Sequence, residues 1–364
     1  MKPLYIMIIM ILSLTLFLNI NNVSAATNDT NFTIDQVSNA AGTVKSYVET
    51  NHQLPTSVNI SGSQVSMPQF LDLSSSAIQN LNNNSNSNVV LGSFGAAPSP
   101  SENLTSNNLN SLNSTEYVDI STRVKNFMHS NGLAPNYASS SIGKIRYESL
   151  IYMNSLILNS YYKTNQMPSF IIINPWSVVS NSNTLFYSLD QIINASSRVQ
   201  SWAEANHQLP AYVTISGRQV NMASLLRVTT TAVLDIAGNF DTNHVIGSYS
   251  AASNPSETIN SASMGQVEYL KVASSVTTYL AVFGQAPNYA STTFGNMRFE
   301  SLVYMYSQLL SYYNKTGYLP ANITVHPWSI ISNSNTAFFA YDQINNASAT
   351  PGTHHTSPWF PGGL

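Results

Sequence analysis

The seventeen residues NHQLPTSVNISGSQVSM at 51–67 return as NHQLPAYVTISGRQVNM at 206–222, with His52 and His207 separated by 155 positions. A chain that writes one long segment twice must be built from a structural unit used twice, so the repeat constrains the fold before any propensity does. The match continues at the same offset in AAPSPSE (96–102) and AASNPSE (251–257). A second pair, APNYASSSIGKIRYESLIYM from Ala134 and APNYASTTFGNMRFESLVYM from Ala286, has an offset of 152, as do NPWSVVSNSNT and HPWSIISNSNT. The chain is therefore one A–B unit written twice. LDQIINAS at Leu189 opens the second unit, and YDQINNAS at Tyr341 resembles the opening of a third.

A and B share a design. Apolar or small residues fall at Met67, Phe70, Leu71, Ser74, Ala77, Ile78 and Leu81 in the first A copy. The same i, i+3, i+4, i+7, i+10, i+11, i+14 spacing starts at Met222, Tyr147 and Phe299, which is one face of a helix four times over. A second, shorter helix is expected before each hairpin, with Val44/Tyr47/Val48, Val124/Phe127/Met128, Val199/Trp202/Ala203 and Val276/Tyr279/Leu280 turned inward. Leu54-Pro55 and Leu209-Pro210 stop it, because proline pushes the preceding residue out of helical geometry. Alternating residues around Ser216-Gly217 predict a tight hairpin, with Gly62, Gly143 and Gly295 expected at the same place. Ser66-Met67-Pro68-Gln69 reads as a capping box, and Asn221 as an N-cap. The predicted fold class is α+β: tandem helix–β-hairpin–helix modules in two A–B units joined by polar linkers, each module too small to close a core alone.

The expected boundaries are a signal peptide at 1–25, A1 at 34–81, a linker at 82–118, B1 at 119–189, A2 at 190–237, a linker at 238–266, B2 at 267–348 and an unstructured tail at 349–364. Lys2, the apolar run from Leu4 to Ile20 and VSA ending at Ala25 form the export signal, cleaved or retained as an anchor. No later stretch is long and apolar enough to span a membrane, so the mature protein is expected outside it.

Only 8% of residues are charged, against 43% hydrophobic. Such a chain folds, but presents a neutral surface of Asn, Ser and Thr. Thirteen Lys and Arg with a net charge of −3 leave no basic stripe for nucleic acid. No cysteine is present, so no disulfide frames the fold, and no HExxH, zinc spacing or GxSxG elbow points to a metal, cofactor or nucleophile.

The residues NHQLPAYVTISGRQVNMASLL, and the variant APNY…G…RYESLIYM…LP…PW, resemble the pseudomurein-binding repeat of methanogenic archaea over about residues 34–348. That resemblance implies attachment to pseudomurein, an archaeal wall polymer of amino sugars and a short Glu/Lys/Ala-containing peptide. The family's endoisopeptidases add a separate domain with Cys, His and Asp; this chain has no Cys, so the resemblance extends to binding alone. The expected ligand contacts are Tyr137 and Tyr289, which follow Asn136 and Asn288 in a Pro-Asn-Tyr turn, and Tyr212 at the matching strand start. A tyrosine offers a flat apolar face and a polar tip to a sugar. Arg146 and Arg298 could fork onto a carboxylate of the polymer, or pair with the glutamates that follow them. Thr56-Ser57 lacks the aromatic, so A2 should bind more tightly than A1. Glu148 and Glu300 recur as single acids at a helix start, where the dipole favours them, and not as the carboxylate pair that glycoside hydrolysis requires. His52 and His207 are expected at a helix C-terminus. Two other classes remain open: a wall-lytic enzyme, and an adhesin that uses the repeats as its anchor.

Overall fold

The computed structural model describes residues 30–105, 110–240 and 242–338. The export signal, the opening at Tyr341 and the tail lie outside those residues. Each of the four modules is a helix, a two-stranded hairpin and a helix, flanked by short strands that pair with each other. A1 comprises β1 (Asn31–Phe32), α1 (Ile34–Asn51), β2 (Ser57–Ile60), β3 (Ser63–Ser66), α2 (Met67–Asn82) and β4 (Val89–Val90). B1 comprises β5 (Ser111–Asn113), α3 (Ser114–Asn131), β6 (Tyr137–Ser140), β7 (Gly143–Arg146), α4 (Tyr147–Thr164), β8 (Phe170–Ile172) and the short α5 (Trp176–Val179). A2 repeats the first pattern as β9 (Phe186–Tyr187), α6 (Leu189–Asn206), β10 (Tyr212–Ile215), β11 (Arg218–Asn221), α7 (Met222–Ala237) and β12 (His244–Val245). B2 repeats the second as β13 (Ala262–Gly265), α8 (Gln266–Phe283), β14 (Tyr289–Thr292), β15 (Gly295–Arg298), α9 (Phe299–Thr316), β16 (Asn322–Val325) and α10 (Trp328–Ile331). The architecture is mixed α and β, as the periodicity predicts.

Local chemistry accounts for the boundaries. Thr33 and Ser188 cap α1 and α6 in full capping boxes with Gln36 and Gln191. Gln69 accepts from the Ser66 N–H at 3.0 Å, and the Asn221 side chain accepts from the Ser224 N–H at 2.8 Å. His52 and His207 end α1 and α6 in the left-handed conformation. Their rings reach further than the helix: Nδ1 of each donates, at 3.0 Å, to the carbonyl of Val179 or Ile331 at the end of the unit's short last helix.

Two expectations are corrected. The helices before the hairpins are not the shorter ones: all four have 18 residues, while α2 and α7 after the A hairpins have 16. The hairpin glycines are not equivalent either. In A1 and A2 the turn is Ser-Gly with both residues at positive φ (50° and 91° at Ser61 and Gly62), as a type I′ turn demands. In B1 and B2 the turn is Ser141-Ile142 or Thr293-Phe294, and the glycine falls one residue later, at the first strand position. There a side chain is excluded by packing as well as by φ: a Cβ on Gly295 (φ +118°) would stand 2.9 Å from the Thr258 carbonyl oxygen.

That contact belongs to a strap. The Asn/Ser-rich segment ahead of B1 runs along the B1 hairpin, its backbone bonded at Gly95 to Gly132, at Ser101 to Asn136 and at Asn103 to Lys144, with Leu104 buried beneath it. The segment ahead of B2 does the same from Ser250 to Ile259.

Modules pair into units by exchange of partners. In the first unit α1 packs on α4, α2 packs on α3, and the two post-hairpin helices α2 and α4 cross. The second unit repeats this with α6 on α9 and α7 on α8. At the α2–α4 crossing Asn154 of α4 donates to Ser74 and Ser75 of α2 at 3.0 and 3.1 Å; in the second unit Thr277 of α8 donates to Thr230 of α7 at 2.6 Å. Small hydroxyl residues let the helices approach closely, and these side chains find partners there. Tyr117 and Tyr269 are buried and donate to the Pro168 and Pro320 carbonyls, locking the third helix of each unit to the turn that ends the fourth.

The units join through B1 and A2. Phe240, just past α7, is 2% exposed and buries its ring in the core of the first unit. Gly238 approaches Phe170 and Ser169 so closely that a Cβ would collide with the Phe170 ring. Asn239 donates to Gln166 at 3.0 Å, and Asn243 donates to Glu49 at 2.8 Å. The outward faces are different. In A1 the residues matching Gly238 and Phe240 are Asn83 and Ser85, and in B2 those matching Leu156, Phe170 and Ile172 are Gln308, Asn322 and Thr324. Stacked repeats need apolar faces where they meet, and the B1–A2 junction has apolar residues where A1 and B2 carry polar ones.

Candidate functional site

Tyr137, Tyr212 and Tyr289 stand at the first residue of β6, β10 and β14, 40%, 49% and 45% exposed. The pleat explains this placement: the next residues, Ala138, Val213 and Ala290, are buried, so the tyrosines point the other way. Lys144 lies with its ammonium 4.4 Å from the Tyr137 ring centroid, adding a cation–π contact.

The four trios expected to face inward split. The outer two of each trio are buried, but Tyr47, Phe127, Trp202 and Tyr279 are 37–47% exposed. In α3 the buried stripe is Tyr117, Ile120, Ser121, Val124 and Met128, and Phe127 falls on its flank, beside the hairpin. In B1 this flank is a groove lined by Arg123, Val124, Phe127, Pro135, Tyr137 and Ala138. The matching residues in A2 are Arg198, Val199, Trp202, Pro210, Tyr212 and Val213. B2 keeps both aromatics, Tyr279 and Tyr289, but has Ser275 in place of the arginine; A1 keeps only Tyr47, with Thr43 and Ser57 at the other two places.

The remaining candidates are engaged inside the fold. Asn136 and Asn288 hold the straps: their Oδ1 atoms accept the Ser99 N–H at 2.7 Å and the Asn254 N–H at 2.8 Å. Arg146 forks onto Glu148 through Nε and Nη2, at 2.7 and 2.9 Å, and Arg298 onto Glu300 at 2.7 and 3.1 Å. The bidentate bond to Glu148 pushes the Arg146 guanidinium above its ordinary pKa. Tyrosine and arginine are thus adjacent cross-strand partners, Tyr137 opposite Arg146 and Tyr289 opposite Arg298, but each arginine already carries its carboxylate.

A second recurrent acid escaped the reading of single acids per B module. Glu102, on the strap, accepts from the Ser149 hydroxyl at 2.8 Å and the Trp176 N–H at 2.8 Å; Glu257 repeats both bonds with Ser301 and Trp328 at 2.6 Å. Burial pushes the Glu102 carboxyl above the ordinary carboxylate range, opposed by these hydrogen bonds and by Arg146. With Glu148 held by Arg146 and both Glu102 oxygens occupied, Glu102 clamps the strap to α4 and α5. Trp176, at the start of α5, is buried, and Trp328, at the start of α10, is half-buried. Among the described residues no group of His, Asp and Glu has the arrangement of a metal site.

Comparison with known families places one match inside this geometry. Residues 109–140 match the family described as pseudomurein-binding repeat, a segment that includes β5, α3, the Pro135 turn and β6, and with them Phe127, Asn136 and Tyr137. No curated protein matches the chain. The structure repeats the elements of the matched segment in three further modules. Residues 109–140 of the chain are thus similar to a pseudomurein-binding repeat.

Proposed function

We propose that the protein is exported and attaches, without catalysis, to the pseudomurein of an archaeal cell wall through several weak modules acting together. The observation that carries this reading is the recurrence of one surface: a tyrosine at the same exposed strand position in three modules, the first of them inside the matched repeat. Charge complements it, since a neutral amide- and hydroxyl-rich exterior suits a hydrogen-bonding polymer. Multiplicity supplies strength. Each module added to a bound array meets a repetitive polymer at raised effective concentration, which multiplies affinity about 10²–10⁴-fold where the spacing permits. Among the described residues no helix is long and apolar enough to cross a membrane.

Long incubation of the protein with purified pseudomurein sacculi tests the non-catalytic part. The protein is expected in the pellet with no soluble wall fragments in the supernatant. Fragment release that disappears in the Glu148→Gln, Glu300→Gln double variant would make it a lytic enzyme instead.

A further inference from the structure

We infer that the groove between each module's first helix and its hairpin is a binding site for a pyranose ring carrying a carboxylate, complete in B1 and A2 and incomplete in B2 and A1. The inference deepens the wall-binding reading by naming which chemistry is held and where. Three observations converge on it.

The first is the pair of exposed rings. Phe127 with Tyr137, and Trp202 with Tyr212, bring one aromatic from the helix and one from the strand to one edge, 40–49% exposed. Exposed aromatics cost solubility unless a partner covers them, and a sugar's C–H faces stack on such rings while its hydroxyls stay in water. The second is the arginine one helical turn before the helix aromatic. Arg123 donates through Nη2 to the Ser139 carbonyl at 2.8 Å, and Arg198 through Nη2 to the Thr214 carbonyl at 2.6 Å. Each guanidinium is thereby held over the strand edge. Arg198 pairs with no acid among the described residues, bonding by Nε only to the Asn194 carbonyl, and Arg123 shares its site with Asp119 and with Lys144 across the Tyr137 ring. Both grooves therefore retain positive character in a chain whose net charge is −3. A carboxylate is the complement. The third observation excludes a peptide strand as occupant: the guanidinium occupies the outward carbonyl that strand addition at this edge would need.

The test uses the full mature chain and an N-acetylhexosamine–hexuronate disaccharide, with Trp202 as the fluorescent reporter of the A2 groove. The disaccharide is expected to shift the emission, and its carboxyl-reduced form to bind about 5–10-fold more weakly. By calorimetry Arg198→Gln and Tyr212→Ala each weaken the A2 site about 3–10-fold, and Trp202→Tyr retains it where Trp202→Ala does not. These side chains are exposed, so unchanged thermal melting checks that the variants remain folded. Absence of binding at saturating disaccharide, equal affinity for the carboxyl-reduced form, or displacement of the reporter by a Glu-Ala-Lys peptide alone would overturn the inference. Sedimentation with pseudomurein sacculi separates its failure from that of the wall reading. If wild type and the Phe127→Ala, Trp202→Ala double variant pellet equally, the groove is wrong and wall binding stands. If wild type stays in solution yet the disaccharide binds at Trp202, the groove stands and wall binding falls.

Discussion

Glu49→Gln is expected to destabilise the first unit by about 3–5 kcal/mol, measured as the shift of chemical unfolding free energy at neutral pH. Glu49 is 6% exposed at its side chain and joins three modules. Lys45 of the same helix approaches it at 2.9 Å, the Tyr152 hydroxyl of B1 donates at 2.7 Å, and Asn243 of A2 donates at 2.8 Å. The amide would leave the Lys45 ammonium, itself only 8% exposed, buried without a counter-charge. The second unit supplies the control. Its counterpart Glu204 meets Gln200 at 2.8 Å and Tyr304 at 2.9 Å, with glutamine standing where the first unit has Lys45. Glu204→Gln therefore strands no cation and is expected to cost about 1 kcal/mol. Equal losses at the two positions would show that the buried ion pair is not what distinguishes the junction.

Phe240→Ala is expected to cost a comparable amount, about 3–5 kcal/mol, and to separate the melting of the two units. The residue belongs in sequence to A2 but fills a place in the core of the first unit, so its removal opens a cavity there while leaving the A2 helices their own contacts. Scanning calorimetry of wild type is expected to give one coupled transition, and of the variant two, with the first unit melting earlier. The conservative Phe240→Leu should restore most of the coupling. A single unshifted transition in the alanine variant would mean that the backbone bonds at Gly238 and Asn239, rather than apolar burial, hold the units together.

How far the sequence could be read depended on which atoms carried the information. The post-hairpin helices were legible because they are covered on several sides: in α4 every residue from Ser149 to Ser160 is buried, so apolar side chains had to appear at core spacing in all four copies. The helix boundaries were legible at Ser66 and Asn221 because caps are side-chain chemistry. The straps, and the flanking strands other than β8 and β16, were not, because their bonds are made by backbone groups in largely polar sequence, which leave no periodic trace. The shifted glycine of the B hairpins follows from the same omission, since it is the strap at Thr258 that requires it. At the site the tyrosines were found from their place in the repeat, and they are exposed. The helix aromatics were assigned inward because an i, i+3, i+4 stripe does not reveal its own edge; Tyr47, Phe127, Trp202 and Tyr279 lie on that edge. A signal was available: an aromatic is kept there in all four modules while its ring type changes, which a close-packed core would not tolerate.

The central claim, attachment to pseudomurein by repeated modules, is tested most directly by a sedimentation isotherm of the full mature chain on purified pseudomurein sacculi, with bacterial peptidoglycan as the parallel polymer. Saturable recovery in the pseudomurein pellet, and recovery from peptidoglycan no higher than from a buffer control, is the predicted result. Protein remaining in both supernatants, or partitioning equally into both pellets, would contradict the account.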